Sequence, residues 1–252
     1  MILHATRFAL AAALLCGLPV RPLAAQGLPE GFVHLADVAP GIRQDIRYAG
    51  SRNFLGRPAA GYEAAECILT RPAAEALARV QADLVRRGLT LVVWDCYRPR
   101  RAVADFMAWT RDPADRRMRA IHYPALDKRD LPALGYVSPT SAHSRGSTVD
   151  LGVAPLAGGG TGGTGACNAP RGIRFDDGTA DFGTSYDCFD TLAHVRDPRV
   201  GREAAANRAL LAGAMRRHGF RGYAREWWHF QLVREPFAGR SFDFPVQPRR
   251  RR

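Results

Sequence analysis

The chain is almost without lysine: of its 36 basic residues only Lys128 is one, and the others are arginines. That skew, in a sequence rich in alanine and glycine, reads as a coding bias rather than as a binding patch. The formal charge is +12, yet the arginines are scattered and no helix-turn-helix, RNP or zinc-finger spacing accompanies them. The one dense basic run is Arg249, Arg250, Arg251 and Arg252, which reads as a solvated tail. Nucleic acid is therefore not an expected partner. Long apolar runs are missing too. The first, Phe8 to Leu18, is too short for a bilayer and no later segment approaches the length a spanning helix needs, so no stable membrane insertion is expected. No CxxC pair occurs, which argues against a structural zinc site.

What is present is an ordinary globular composition over 252 residues, 46% hydrophobic and 24% charged, enough for one sizeable core without staples. Residues 1–25 carry Arg7, the apolar run, and the small exit Leu23-Ala24-Ala25, the order of a secretory signal removed near Ala25. An exported, periplasmic location follows as an expectation. Cys16 lies inside that segment behind Leu14 and Leu15, so no lipid anchor is expected. Cys67, Cys96, Cys167 and Cys188 remain, an even number suited to an oxidising compartment. The preferred pairing is Cys67 with Cys96 and Cys167 with Cys188, since each bond would tie neighbouring elements or close a glycine-rich excursion. Four unpaired, buried core thiols stay open as the alternative.

Periodicity divides the chain into helices and strands. Thr70 can cap a helix with Pro72 in its first turn and Ala73, Leu77, Val80 and Leu84 on one face, ending by Gly88. A strand from Leu89 to Trp94 follows, then a helix from Pro99 with Ala102, Phe106 and Trp109 inward. After irregular chain to about Ser141, the alternation of Val149, Leu151 and Val153 predicts a strand whose other face carries Asp150. Residues 156–183, rich in glycine, read as a mobile loop or insertion with no packed core of its own. A helix over Gly201 to Arg217 and a single aromatic strand over Phe220 to Val233 complete the pattern. The expected fold class is α+β, one domain over residues 26–246 with a small antiparallel sheet flanked by helices and residues 247–252 as a basic tail.

The chemistry concentrates in two histidine motifs. In Ser141-Ala142-His143-Ser144-Arg145-Gly146-Ser147-Thr148-Val149-Asp150, small residues and Gly146 let the backbone curl so that His143 and Asp150 can reach one point. In Glu226-Trp227-Trp228-His229 a second imidazole follows a carboxylate by three positions. Two imidazoles and one carboxylate would hold a zinc ion and leave a coordination position open, as catalytic sites do. Residues three apart on a straight strand face opposite sides. Glu226 is therefore expected at a turn or bulge before the strand, as a general base rather than a ligand. Singly, each residue has a plainer reading: a structural histidine beside two tryptophans, or an aspartate capping a turn.

The Ser-x-His-x-x-Gly-x-x-x-Asp pattern and Glu226-Trp227-Trp228-His229 resemble the zinc D-alanyl-D-alanine dipeptidases of the VanX type, within the hedgehog-like D,D-peptidase fold. Further segments agree in order: Tyr48-Ala49 with Asn53-Phe54-x-Gly56, Gly61-Tyr62, Trp94-Asp95-x-Tyr97-Arg98-Pro99, Gly183-Thr184-x-Tyr186-Asp187 and Phe242-Asp243-Phe244-Pro245. The resemblance spans roughly residues 33–246. It implies one zinc ion per chain on His143, Asp150 and His229, Glu226 as acid and base, and Arg98 at the developing oxyanion. It further implies a small dipeptide substrate, with Asp187 and Tyr48 at its ammonium and Ser141 and Tyr62 toward its carboxylate. Export departs from the best-known members and favours a role in peptidoglycan turnover or salvage. A murein D,D-carboxypeptidase or endopeptidase, and a non-catalytic zinc-dependent cell-wall-binding module, are the alternatives. The oligomeric state is not legible in the sequence.

Overall fold

A computed structural model describes residues 27–249 of the chain. The expected export signal over residues 1–25, with Cys16 inside it, and Arg250 to Arg252 lie outside the described residues. In chain order the elements are β1 (Phe32–His34), α1 (Leu35–Val38), β2 (Arg43–Gln44), β3 (Ile68–Thr70), α2 (Arg71–Val85), β4 (Leu89–Asp95) and α3 (Arg100–Arg111). They continue with α4 (Arg119–His122), β5 (Thr148–Pro155), α5 (Arg202–Arg217), β6 (Phe220–Tyr223) and β7 (Glu226–Leu232). This is the expected α+β class. Five strands form the main sheet in the order β2-β4-β5-β7-β6, and β1 with β3 forms a small second sheet.

Every pairing of the main sheet is antiparallel except β2 on β4, so the edge departs from the purely antiparallel expectation. The region from Phe220 to Val233 departs further, because it is a hairpin rather than one strand. β6 and β7 pair around Ala224 and Arg225, with a register shift between Gly222 and Tyr223. Aromatic content marks β structure but does not mark where a strand reverses.

The helix after Thr70 forms as its pattern predicts, with Ala73, Leu77, Val80 and Leu84 buried and Pro72 in the first turn. Thr70 occupies the cap position without capping. Its hydroxyl is instead engaged with Ser147 Oγ at 2.7 Å, tying the helix entry to the segment that leads into β5. Pro99 precedes α3, and Ala102, Phe106 and Trp109 are buried as expected.

β5 is buried from Thr148 to Ala154, because α-helical and irregular chain covers both of its faces. Gly152 makes one of those contacts possible: a Cβ there would stand 2.8 Å from both Trp94 and Thr179 side chains. Thr179 belongs to the glycine-rich segment, which was expected to have no packed core of its own. Several of its side chains insert into the main core. Cys167 and Phe182 are buried, Phe182 stacks on Trp227 at 4.1 Å, and Trp94 Nε1 donates to the Asp177 carbonyl at 3.2 Å. Glycine content reports backbone freedom, whereas packing here depends on a few anchoring side chains set between the glycines. Cys67 bonds Cys96 and Cys167 bonds Cys188, with Cα separations of 5.3 and 5.4 Å. No helix among the described residues is long and apolar enough to cross a membrane.

Candidate metal centre and active site

Three secondary-structure features bring the two motifs together. Ser141 opens a tight turn over Ala142–Arg145 by accepting from the His143 amide at 3.3 Å. Gly146 closes it with a φ of +78°, a left-handed value that glycine adopts without strain. β5 then carries Asp150 directly opposite His229 of β7, so the sheet register sets the distance between motifs that are far apart in sequence.

The resulting cluster is tight. His229 Nδ1 stands 3.1 Å from Asp150 Oδ1, His143 Nε2 stands 3.3 Å from the same oxygen, and the two ring nitrogens are 3.3 Å apart. His143 Nδ1 is 2.7 Å from the carbonyl oxygen of Cys96. A carbonyl can only accept, so Nδ1 carries a proton, which leaves Nε2 as the nitrogen that would face a metal. Tyr186 donates to Asp150 Oδ2 at 3.2 Å. The ligand atoms of His143, Asp150 and His229 all lie within 4.8 Å of one another, and this is the group of its kind found among the described residues. Two imidazole nitrogens and a carboxylate oxygen, oriented by second partners, fit the donor set of a catalytic zinc ion.

The electrostatics follow from packing these charges together. Burial raises the Asp150 carboxyl, but the charges and hydrogen bonds of His143 and His229 outweigh it and hold the group below the usual carboxylate range. Burial lowers His229, and its hydrogen bond and attraction to Asp150 reverse that, leaving it raised. Glu226 lies 3.6 Å from His229 Nδ1. Burial pushes its carboxyl up to about 7; the His229 charge works against the rise and Asp150 adds to it. Glu226 begins β7 opposite Tyr223, at the register shift. The irregularity is what lets it share a side with His229, the situation expected of a turn or bulge.

Arg98 is anchored on the buried Asp95 through Nε at 2.8 Å and Nη2 at 2.7 Å, and Nη2 also lies 3.5 Å from Asp150 Oδ2. Its guanidinium sits over the Tyr48 and Phe106 rings at 5.1 and 5.0 Å. Tyr48 donates to Asp187 Oδ2 at 2.7 Å. Burial, reinforced by repulsion from Asp150, drives the Asp187 carboxyl well above its usual value. A cavity of about 290 Å³ joins these groups, with His143, Asp150, His229 and Glu226 on its wall together with Arg98, Asp187, Tyr48 and Ser141.

Tyr62 is the exception among the residues picked out from the sequence. It does not line that cavity; it is buried, and its hydroxyl donates to Asp95 Oδ1. In this structure that hydroxyl supports the aspartate that holds Arg98. Two partners escaped the sequence reading: the Tyr186 hydroxyl on Asp150 and the Cys96 carbonyl on His143. Tyr186 stands beside Asp187 in a recognised segment, but neither spacing nor composition tells which way its hydroxyl points.

Comparison with known proteins agrees with this geometry. A protein-family model described as D-ala-D-ala dipeptidase matches residues 29–161 and 170–247. A D-alanyl-D-alanine dipeptidase of Streptomyces coelicolor is 38% identical over 215 residues, 85% of this chain and 98% of the relative. One from Enterococcus faecium is 35% identical over 86% of this chain and 98% of its own, and one from Escherichia coli is 30% identical over 86% and 94%.

Proposed function

Because the chain belongs to the D-Ala-D-Ala dipeptidase family of peptidases, we propose that it hydrolyses D-Ala-D-Ala and similar D,D-dipeptides to free amino acids with one zinc ion per chain. His143, Asp150 and His229 would hold the ion. When bound, zinc supplies Lewis acidity and makes water a competent nucleophile near neutral pH.

The protein's own groups do the rest. Glu226, buried and with a carboxyl near neutrality, takes a proton from the attacking water and returns it to the leaving amine, a double duty that suits a group titrating close to the working pH. Arg98, fixed by Asp95, stabilises negative charge that develops on the carbonyl oxygen. Asp187 with Tyr48 receives the substrate ammonium, and Ser141 faces the carboxylate end. A free ammonium would add a cation beside the buried Asp187, whose carboxyl burial holds well above its usual value, which supports a short substrate with an unblocked amine.

The observation that carries this reading is the placement of an unligated carboxylate, Glu226, 3.6 Å from a metal-type nitrogen inside a buried cavity. A purely structural metal site, or a cell-wall-binding module, needs neither that carboxylate nor Arg98. The paired disulfides and the leader-like residues 1–25 support export and a periplasmic role in peptidoglycan turnover or salvage.

The test is release of D-alanine from free D-Ala-D-Ala by the purified zinc-loaded protein, abolished by chelation and restored by zinc. Release of D-alanine from an amino-acylated pentapeptide with no turnover of the free dipeptide would replace this reading by the carboxypeptidase one. Binding to murein with cleavage of neither would replace it by the binding module.

A further inference from the structure

Asp187 is the only non-glycine residue with a positive φ among the described residues, at +54°. Such a backbone persists only where the surroundings over-determine it, so the question is what fixes it. Its neighbour Cys188 is bonded to Cys167, both sulfur-bearing residues being fully buried. Cys167 is itself fastened to α4: its amide donates to the Ile121 carbonyl at 2.8 Å. From the same stretch, His122 Nδ1 is 2.9 Å from the Asp187 carbonyl, and the Phe189 amide donates back to the His122 carbonyl at 2.9 Å. The Ser185 amide donates to the Cys167 carbonyl at 2.9 Å. Asp187 is thus laced on both sides, and the only covalent lace comes from the glycine-rich segment. The family match is interrupted between residues 161 and 170, the interval that contains Cys167.

We propose that the Cys167–Cys188 bridge is a positioning device for substrate recognition: it locks the left-handed backbone of Asp187 so that its carboxylate, held by Tyr48, meets the substrate ammonium. This rests on the reading of Asp187 as the ammonium partner. Cys167 touches neither substrate nor metal cluster and acts through Cys188. The other bridge serves the opposite half of the site, since Cys96 supplies the carbonyl that orients His143. The two bonds therefore have separable kinetic consequences.

The experiment compares wild type with the Cys167→Ala/Cys188→Ala variant and a volume-retaining Cys167→Val/Cys188→Ala variant, each zinc-loaded. The substrates are D-Ala-D-Ala and its desamino analogue propionyl-D-alanine. Both variants are expected to lose roughly tenfold or more in kcat/KM for the dipeptide, almost all of it in KM. Their kcat, zinc content and kcat/KM for the desamino analogue are expected to stay at the wild-type level, so the preference for a free amine collapses. Equal losses on both substrates, no loss on either, or failure of both variants to fold would overturn the proposal, because the bridge would then act on the whole fold or on nothing near Asp187. Asp187→Asn separates the underlying reading. If that variant keeps the amine preference, the assignment of Asp187 is wrong. If it abolishes the preference while the cysteine variants keep it, only the positioning role fails.

Discussion

At the scale of single residues, Glu226 couples stability to chemistry. Burial pushes its carboxyl from 4.5 up to about 7, so the fold prefers the neutral form. That contribution is complete below pH 4.5 and is lost as pH rises through about 7. Glu226→Gln should therefore stabilise the metal-free protein by up to about 3 kcal/mol at pH 8 and by little at pH 4, read from urea denaturation at the two pH values. The same variant should bind zinc while turnover falls at least 100-fold, measured by metal analysis and D-alanine release. Tyr62 gives a second residue-level prediction. Its hydroxyl supports Asp95 rather than lining the cavity, so Tyr62→Phe should cost about 1 kcal/mol of stability. Its kinetic effect should appear in kcat, through a loosened Arg98, with KM nearly unchanged; a rise in KM alone would return Tyr62 to the carboxylate end of the substrate.

At the scale of elements, the turn that delivers His143 depends on its last residue. A Cβ on Gly146 would stand 2.2 Å from Phe32 Cε1, and the φ of +78° is unfavourable for any other residue. Phe32 cannot easily retreat, because it packs edge-on against Tyr97, Phe242 and Phe244 and stacks on Phe237. Gly146→Ala should therefore destabilise by about 2–4 kcal/mol and weaken zinc binding through displaced His143, checked by urea denaturation and a competitive chelator titration. The glycine in the His143 motif was readable as a turn. The aromatic wall that makes it irreplaceable is assembled from β1 and the chain's C-terminal segment, and no local spacing announces it.

At the scale of the whole molecule, a buried histidine outside the metal cluster makes one part of the stability profile acid-sensitive, opposite in sign to Glu226. His122, buried against Asp187, is lowered from 6.5 to about 4 because burial opposes its charge. Its neutral form is the one the fold keeps, so its contribution is complete above pH 6.5 and disappears as pH falls through about 4. Between pH 7 and 3.5 that single group should remove on the order of 3 kcal/mol from the unfolding free energy. His122→Gln should flatten this part of the stability profile, measured by denaturant titration across the range; an unchanged profile would place the acid sensitivity elsewhere. The disulfides close sequence separations of 29 and 21 residues. Those loops are too similar for their entropic contributions to differ by more than a few tenths of a kcal/mol, so any large kinetic difference between removing one and the other must come from where each bond sits.

The amino-acid sequence by itself determined the helices over residues 71–85, 100–111 and 202–217, the central strands β4 and β5, and the identity of the metal-type residues, because these are written in local periodicity and in short motifs. Its own spacing also required Glu226 to leave regular strand geometry. Only the tertiary structure decided that Phe220 to Val233 doubles back, that the glycine-rich segment anchors itself through Cys167 and Phe182, and that Tyr62 turns to Asp95 while Tyr186 reaches Asp150. Each of those outcomes depends on which side of a packed sheet a distant side chain meets, and that is fixed by strand register and burial rather than by neighbours along the chain.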